Sequence, residues 1–355
     1  MTRTKPLGTF ASDASGPALA GHLLPPAAGA RRRGLTLVTV ALFTTGCQGR
    51  QSALAPAGAD AEALHLLFTS MLAGAAVLWL GMNGLFYWFS RRNPAAFPEH
   101  HARRLILFGG VFAPTLIVGG VLVWGLTLLP DQRAPGEGLR IAVTGEQWWW
   151  RVEYLPEGDA GPVISANEIR LPAGKRTEFL LTADRFIHSF WIPALGGKMD
   201  MFPGRETRMS LKPETPGTYR GQCAEFCGAS HAWMAFEAVV MPPEDFAAWL
   251  EAEAQDARTP QSEAARRGRE IFRREGCGAC HSIRGTEAVG QVGPDLTHVG
   301  ARHSIGAGRL GASLDDIALW VAHTGELKPE VQMPAFPHLE PAELQDLARY
   351  LKELE

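Results

Sequence analysis

Apolar positions along the chain follow three patterns in turn, each predicting a different architecture. From Ala63 to Ser90, 28 consecutive residues include no Asp, Glu, Lys or Arg, and a second such run of 26 residues extends from Leu105 to Pro130. As helices the runs would measure about 42 and about 39 Å, more than the ~30 Å hydrocarbon core of a bilayer. They predict a transmembrane helix hairpin (63–90 and 105–130), with Trp79, Tyr87, Trp88 and Trp124 as interfacial anchors. From Leu139 to Met241 the pattern changes to short β-rich runs, Arg140–Val143, Glu178–Leu181 and Phe236–Val240, separated by Pro and Gly. That predicts an all-β sandwich or barrel within 131–250. A charged, Ala-rich stretch supplies a linker at 251–261. Beyond it Ser262–Glu275, Leu314–His323 and Pro341–Leu354 read as amphipathic helices of an all-α domain, 262–355. The fold class is therefore multidomain.

Charge orients these parts. The segment joining the two apolar runs holds Arg91, Arg92, Arg103 and Arg104 against Glu99, which places it inside and everything after Pro130 outside. Upstream, Arg31, Arg32 and Arg33 precede the apolar run Leu35–Phe43 and then Thr44-Thr45-Gly46-Cys47, the layout of an export signal within a 1–47 leader. It resembles a bacterial lipoprotein signal, in which Cys47 is lipidated and becomes the mature N-terminus; the alternative is an ordinary Cys in an uncleaved segment. Lys plus Arg total 34 and Asp plus Glu 37, a net charge of −3 that provides no field for nucleic acid. A chain 46% apolar and 20% charged is not disordered. Five Cys in 355 residues cannot build a disulfide scaffold, so their spacing carries the information.

Cys223-Ala-Glu-Phe-Cys227-Gly-Ala-Ser-His231-Ala-Trp-Met234 gathers two thiols, an imidazole and a thioether, with His188 on an earlier loop. These are soft donors suited to copper. A Cys223–Cys227 disulfide would leave the histidines and Met234 unexplained, a Cys₂His₂ zinc site would use four of the donors, and a mononuclear blue-copper site needs one Cys. From Ala63 to about Met241 the residues resemble subunit II of cytochrome c oxidase, whose cupredoxin-like Greek-key domain carries the binuclear copper centre CuA. The resemblance implies that Cys223 and Cys227 bridge two copper ions, that His188 and His231 each complete one, and that Met234 and the Glu225 carbonyl are weak further donors. It also implies a Glu225 side chain facing the catalytic subunit as a Mg²⁺ ligand, and a contact loop at Lys198–Arg205. In Gln147-Trp148-Trp149-Trp150 it makes Trp148 the point of electron entry, whereas a residue-level reading has Trp148 and Trp150 filling a core. Relatives often carry an acid near the start of the second membrane helix; here that region reads Glu99-His100-His101-Ala102-Arg103-Arg104, and Glu99 is the candidate for a proton path.

Cys277-Gly-Ala-Cys280-His281 is the haem c attachment signature, with His281 as axial ligand. A thioredoxin-type dithiol would need a βαβ pattern that the flanking sequence lacks. Met333, within a segment resembling the methionine loop of class I cytochromes c, is the candidate sixth ligand, with His298, His303, His323 and His338 as competitors. Gly293-Pro294-Asp295-Leu296 resembles the segment whose proline carbonyl receives the proximal imidazole N–H.

Taken together, the resemblance implies subunit II of a bacterial inner-membrane oxidase with a fused cytochrome c. It implies electrons passing from haem c through Trp148 to CuA and on to a catalytic subunit I that reduces O₂ with proton translocation. Implied partners are subunit I, further membrane subunits, and a cytochrome c or quinol–cytochrome c reductase as donor. The alternatives are the corresponding subunit of a nitric oxide reductase and a membrane-tethered copper-binding protein. A fused haem domain would meet the copper site at an effective concentration in the mM range.

Overall fold

The computed structural model describes residues 49–92, 97–156, 158 and 161–355, so the leader and Cys47 lie outside the described residues. Helix α1 (Ala59–Ser90) and helix α2 (Glu99–Gln132) are long and apolar enough to cross a membrane, and the most apolar stretch of each is wholly unburied. Phe86 and Leu116 are 77% and 74% exposed, a surface that water would not tolerate over so many residues and that lipid would cover. Helix α1 starts before its uncharged run because Asp60 and Glu62 favour the positive end of a helix. Within α2, Leu105–Phe112 is wound as a π-helix just before Pro114, which has no N–H to offer the α-helical ladder.

Both helices are fastened to the domain above them by one arginine. Arg176 Nη1 donates to Asp60 Oδ1 (3.0 Å), to the Asp131 carbonyl (2.8 Å) and to Ser210 Oγ (3.2 Å). Asp60 Oδ2 accepts the Lys212 N–H at 2.8 Å. A buried carboxylate needs such partners, and both come from the β domain, while Arg176 extends the joint to the end of α2 through Asp131.

That domain is a sandwich of two five-stranded sheets. The first runs β3 (Val163–Ala166), β2 (Trp150–Leu155), β1 (Arg140–Gly145), β5 (Thr177–Ala183) and β8 (Thr207–Leu211). The second runs β4 (Glu168–Pro172), β10 (Ala235–Met241), β9 (Gly217–Cys223), β6 (His188–Trp191) and β7 (Lys198–Met201). β1 pairs β5 in parallel and β4 pairs β10 in parallel, while the other neighbours are antiparallel. Alternate residues of β1 and β5 point inward, Ile141, Val143, Phe179 and Leu181 being fully buried. Phe190 stacks on Phe236 (5.0 Å between centroids) and Trp150 meets Phe236 edge-on (5.2 Å), an aromatic cluster that ties β6, β10 and β2 together beside the site.

Helix α3 (Pro243–Glu253) lays Phe246 and Trp249 against Tyr154 and takes up residues 251–253. The following lobe is helical: α4 (Glu263–Arg274), α5 (Leu314–Leu327) and α6 (Pro341–Lys352). Ser262 caps α4, and Ser313 with Asp316 forms a capping box on α5. α5 continues past His323, where a non-helical φ of −135° marks a kink rather than the end that the apolar pattern predicts. α4 and α6 cross at Gly268, where a Cβ would lie 2.1 Å from the Asp346 carbonyl oxygen and 2.8 Å from Tyr350 Cβ. Neither backbone nor buried tyrosine can yield cheaply. Gly268→Val should therefore cost about 1–3 kcal/mol or more and lower the melting temperature of this lobe by roughly 10 °C, as calorimetry would show.

Candidate copper centre and haem cavity

Strand pairing assembles the first site. β6 pairs β9 with Phe190 opposite Cys223, so His188, the first residue of β6 rather than part of a loop, lies beside the end of β9. Gly145 lets the ring in, since a Cβ there would stand 2.7 Å from His188 Cδ2. The chain then leaves β9 at Cys223, turns through a short 3₁₀ segment at His231–Trp233 and enters β10; the Cys223 N–H donates to the Met234 carbonyl (2.9 Å) and closes the loop.

Within that loop the donors converge. Cys223 Sγ is 3.7 Å from His188 Nδ1, 3.8 Å from Cys227 Sγ and 3.2 Å from the Glu225 carbonyl oxygen. Cys227 Sγ is 3.5 Å from His231 Nδ1 and 3.8 Å from Met234 Sδ. The two thiols are free, with a histidine on each flank, and the buried donors His188, Cys223 and Cys227 all lie within 4.8 Å of one another. The Cys223 thiol is held down, chiefly by its hydrogen bond with Cys227, against the opposing effect of burial; the Cys227 thiol is pushed up by that same bond and by burial. Two buried sulfurs 3.8 Å apart, each beside an imidazole nitrogen, offer a soft cation a ready place, and this donor set fits copper. The Glu225 carboxylate points elsewhere: it is half-exposed and 3.9 Å from Lys198, which also pairs with Asp200 at 2.9 Å.

The second site is a cavity in the helical lobe, lined by Cys277, Cys280, His281, Leu296, Met333 and Phe336 and walled on the β-domain side by Trp148 and Trp149. His281 Nδ1 is 2.8 Å from the Pro294 carbonyl oxygen. A carbonyl only accepts, so Nδ1 carries the proton and Nε2 keeps its lone pair for a metal. Burial lowers the pKa of His281 and keeps the ring neutral, as a ligand must be. The four competing histidines are engaged elsewhere: His298 with the Gln255 carbonyl, His303 with Glu168, His323 with Glu326 and His338 with Glu275. An apolar cavity with two thiols at its rim, an imidazole and a thioether fits a covalently held haem.

The helical lobe is seated on the sandwich. Ser230 Oγ donates to the Pro329 carbonyl (2.5 Å), the Ala235 N–H to the Ala307 carbonyl (3.0 Å) and Arg151 to the Gln291 carbonyl (2.9 Å). Arg309 stacks over Trp233 at 4.1 Å. Trp148, 4% exposed, belongs to the sandwich core and also faces the haem cavity; its Nε1–H donates to the Cys227 carbonyl at 3.1 Å, and Gln147 Nε2 donates to the same oxygen at 3.0 Å. Sequence reasoning gave no role to Gln147, although it adjoins Trp148. It missed Lys328 altogether, whose Nζ reaches the Trp148 carbonyl across 180 positions of sequence.

A family model described as cytochrome c oxidase subunit II, periplasmic domain, matches residues 155–241, and a cytochrome c model matches residues 265–355. The chain is 30% identical over 337 residues to cytochrome c oxidase subunit 2 of Alkalihalophilus pseudofirmus, covering 91% of this chain and 96% of that protein. It is also 30% identical over 232 residues to the Bacillus subtilis subunit, covering 62% of this chain and 64% of that one. Among solved structures it is similar to the periplasmic domain of subunit II of cytochrome oxidase of Bradyrhizobium japonicum, 33% identical over 32% of this chain and 92% of that one, with a TM-score of 0.30. The first family model implies copper in a cupredoxin-like periplasmic domain, the second implies haem, and the apolar helices give a membrane anchor. An alignment that runs through anchor, copper domain and haem domain alike leaves one assignment: this chain belongs to the cytochrome c oxidase subunit II family, as a member with a cytochrome c domain at its C-terminal end.

Proposed function

We propose that the chain is the electron-entry subunit of a terminal oxidase in a bacterial inner membrane, working beside a catalytic subunit I that reduces O₂ and translocates protons. Cys223 and Cys227 would bridge two copper ions, completed by His188 and His231 with Met234 and the Glu225 carbonyl as weaker donors. Cys277 and Cys280 would hold haem c, with His281 and Met333 as its axial ligands. When bound, these groups supply reversible one-electron transfer. The Glu225 carboxylate, 47% exposed on its side chain, is available to face subunit I and a Mg²⁺ ion there. A cytochrome c or a quinol–cytochrome c reductase would be the donor; a lipoprotein-type leader would put a lipid on Cys47, and Glu99 is the candidate acid for a proton path that otherwise begins elsewhere.

One observation carries this reading. Trp148 walls the haem cavity and hydrogen-bonds the carbonyl of a copper ligand, so a single side chain and a single hydrogen bond join the two sites. Trp148→Phe keeps an aromatic ring, smaller than the indole, but removes the N–H donor. In the purified oxidase it should leave copper and haem contents unchanged and slow haem-to-copper transfer by about tenfold, the kinetic equivalent of about 1.4 kcal/mol. Flash-initiated transfer at the wild-type rate would refute the assignment of Trp148.

A further inference from the structure

Lys328 is 2% exposed, wedged between the two lobes where an apolar residue would be far easier to bury. Burial pushes its ammonium pKa down to about 7. Its Nζ donates to the Trp148 carbonyl at 2.6 Å and to the Gly306 carbonyl at 2.9 Å. Neither bond belongs to a helix or a strand.

The backbone around Lys328 is shaped to make these contacts. Gly306, Ala307 and Gly308 are all left-handed (φ 62°, 60° and 76°), an unusual conformation for Ala307, and a Cβ on Gly306 would meet the Trp320 ring at 2.7 Å. This turn directs the Gly306 carbonyl to Lys328 and the next carbonyl, of Ala307, to the Ala235 N–H directly after Met234. On its other side Lys328 adjoins Pro329, whose carbonyl receives Ser230 of the copper loop, and Leu327, whose carbonyl receives Arg309 Nε at 2.7 Å. Lys328 thus stands where the haem lobe, the copper loop and the bridging tryptophan meet.

We propose that Lys328 is a positioning residue for electron transfer, holding the Trp148 backbone so that the indole stays between the haem cavity and the Cys227 carbonyl. The inference rests on the electron-entry reading above and adds to it the part that fixes the bridge. Without this clamp the indole is no longer held on the Cys227 carbonyl, and losing that one hydrogen bond from the path has a measurable cost in rate.

The test uses the assembled oxidase with Lys328→Met, Trp148→Phe and the double variant. Two quantities are read: the flash-initiated haem-to-copper rate, and amide hydrogen exchange at Ala235, which reports whether the lobes stay seated. Lys328→Met should slow transfer by up to about tenfold, the effect of losing the Trp148 hydrogen bond itself, while Ala235 stays protected. The double variant should be no slower than the slower single, because both changes act on one element. A wild-type rate in Lys328→Met beside a slowed Trp148→Phe overturns the role of Lys328 and leaves the electron-entry reading standing. Additive slowing, or loss of Ala235 protection, also overturns it, since Lys328 would then act independently of Trp148 or serve only as glue. An unchanged rate in Trp148→Phe removes both readings. If Lys328→Met does not assemble, Lys328→Gln, which keeps an N–H donor without the charge, is measured instead, and a wild-type rate there overturns the proposal.

Discussion

Cys227→Ser should reduce the copper content from two ions per chain to one or none and lower oxidase turnover by more than about a hundredfold, since even the loss of a hydrogen bond to a ligand costs about 10–100-fold in affinity or activity. Cys227 is the hub of the donor cluster, with Cys223, His231 and Met234 all within 3.8 Å of its sulfur. A serine oxygen is harder, more basic and on a shorter bond, so it neither matches copper nor spans two ions as a thiolate does. The backbone carbonyl of residue 227 is retained, so Trp148 and Gln147 keep their acceptor and the defect is confined to the sulfur. Haem content should be untouched, because the cytochrome lobe has its own core, with Ile271, Phe272, Ile317 and Leu347 buried together. Metal counting and electron spin resonance on the purified complex give the answer; two coppers with an electron shared over both nuclei in the variant would sink the bridging assignment.

His281→Ala should disable the other end of the path. The imidazole is anchored by its Nδ1–H on the Pro294 carbonyl and packed against Gly293, where a Cβ would come within 2.5 Å of the ring. Removing it strips the cavity of its one imidazole and leaves a void, at a cost of about 2–4 kcal/mol to the lobe. Turnover driven by a protein donor should fall by more than about a hundredfold. Copper content should remain, and a small chemical reductant that reaches the copper domain directly should restore turnover. Retention of donor-driven turnover would show that electrons enter without the haem lobe.

Most of the site was legible because its chemistry is local in sequence. Five of the donors sit between Cys223 and Met234, and a loop of that length has few ways to close, so naming the residues nearly places them. His188 lies 35 positions before Cys223, and its approach depends on the absence of a side chain at Gly145, which no motif advertises. For Trp148 the core and electron-entry readings looked like rivals. In the structure the indole is buried in the sandwich core and also walls the haem cavity, so being a core residue does not conflict with the electron-entry reading. Lys328 was illegible because its meaning arises only when two domains are seated together. From sequence, the stretch after the sandwich suggests a tether that raises effective concentration; in the structure backbone atoms of one lobe bond those of the other, as at Ala235 and Ala307. Such contacts leave no periodicity or composition to read.

The ion-paired joint at Arg176 has a consequence for assembly. Because Asp60 opens the first membrane helix and Asp131 closes the second, one guanidinium reaches both ends of the hairpin, and hydrogen bonds with Lys212, Leu195 and Ser210 fix the same ends to the sandwich. The joint works as a surveyor's datum, transferring the plane of the membrane to the domain above it. A membrane partner that grips only the hairpin would then receive Cys223 and Cys227 at a set height and azimuth, with no need to grasp the sandwich tightly. Alignment between the copper ligands and whatever lies in the bilayer is in this way built into the chain before any partner arrives.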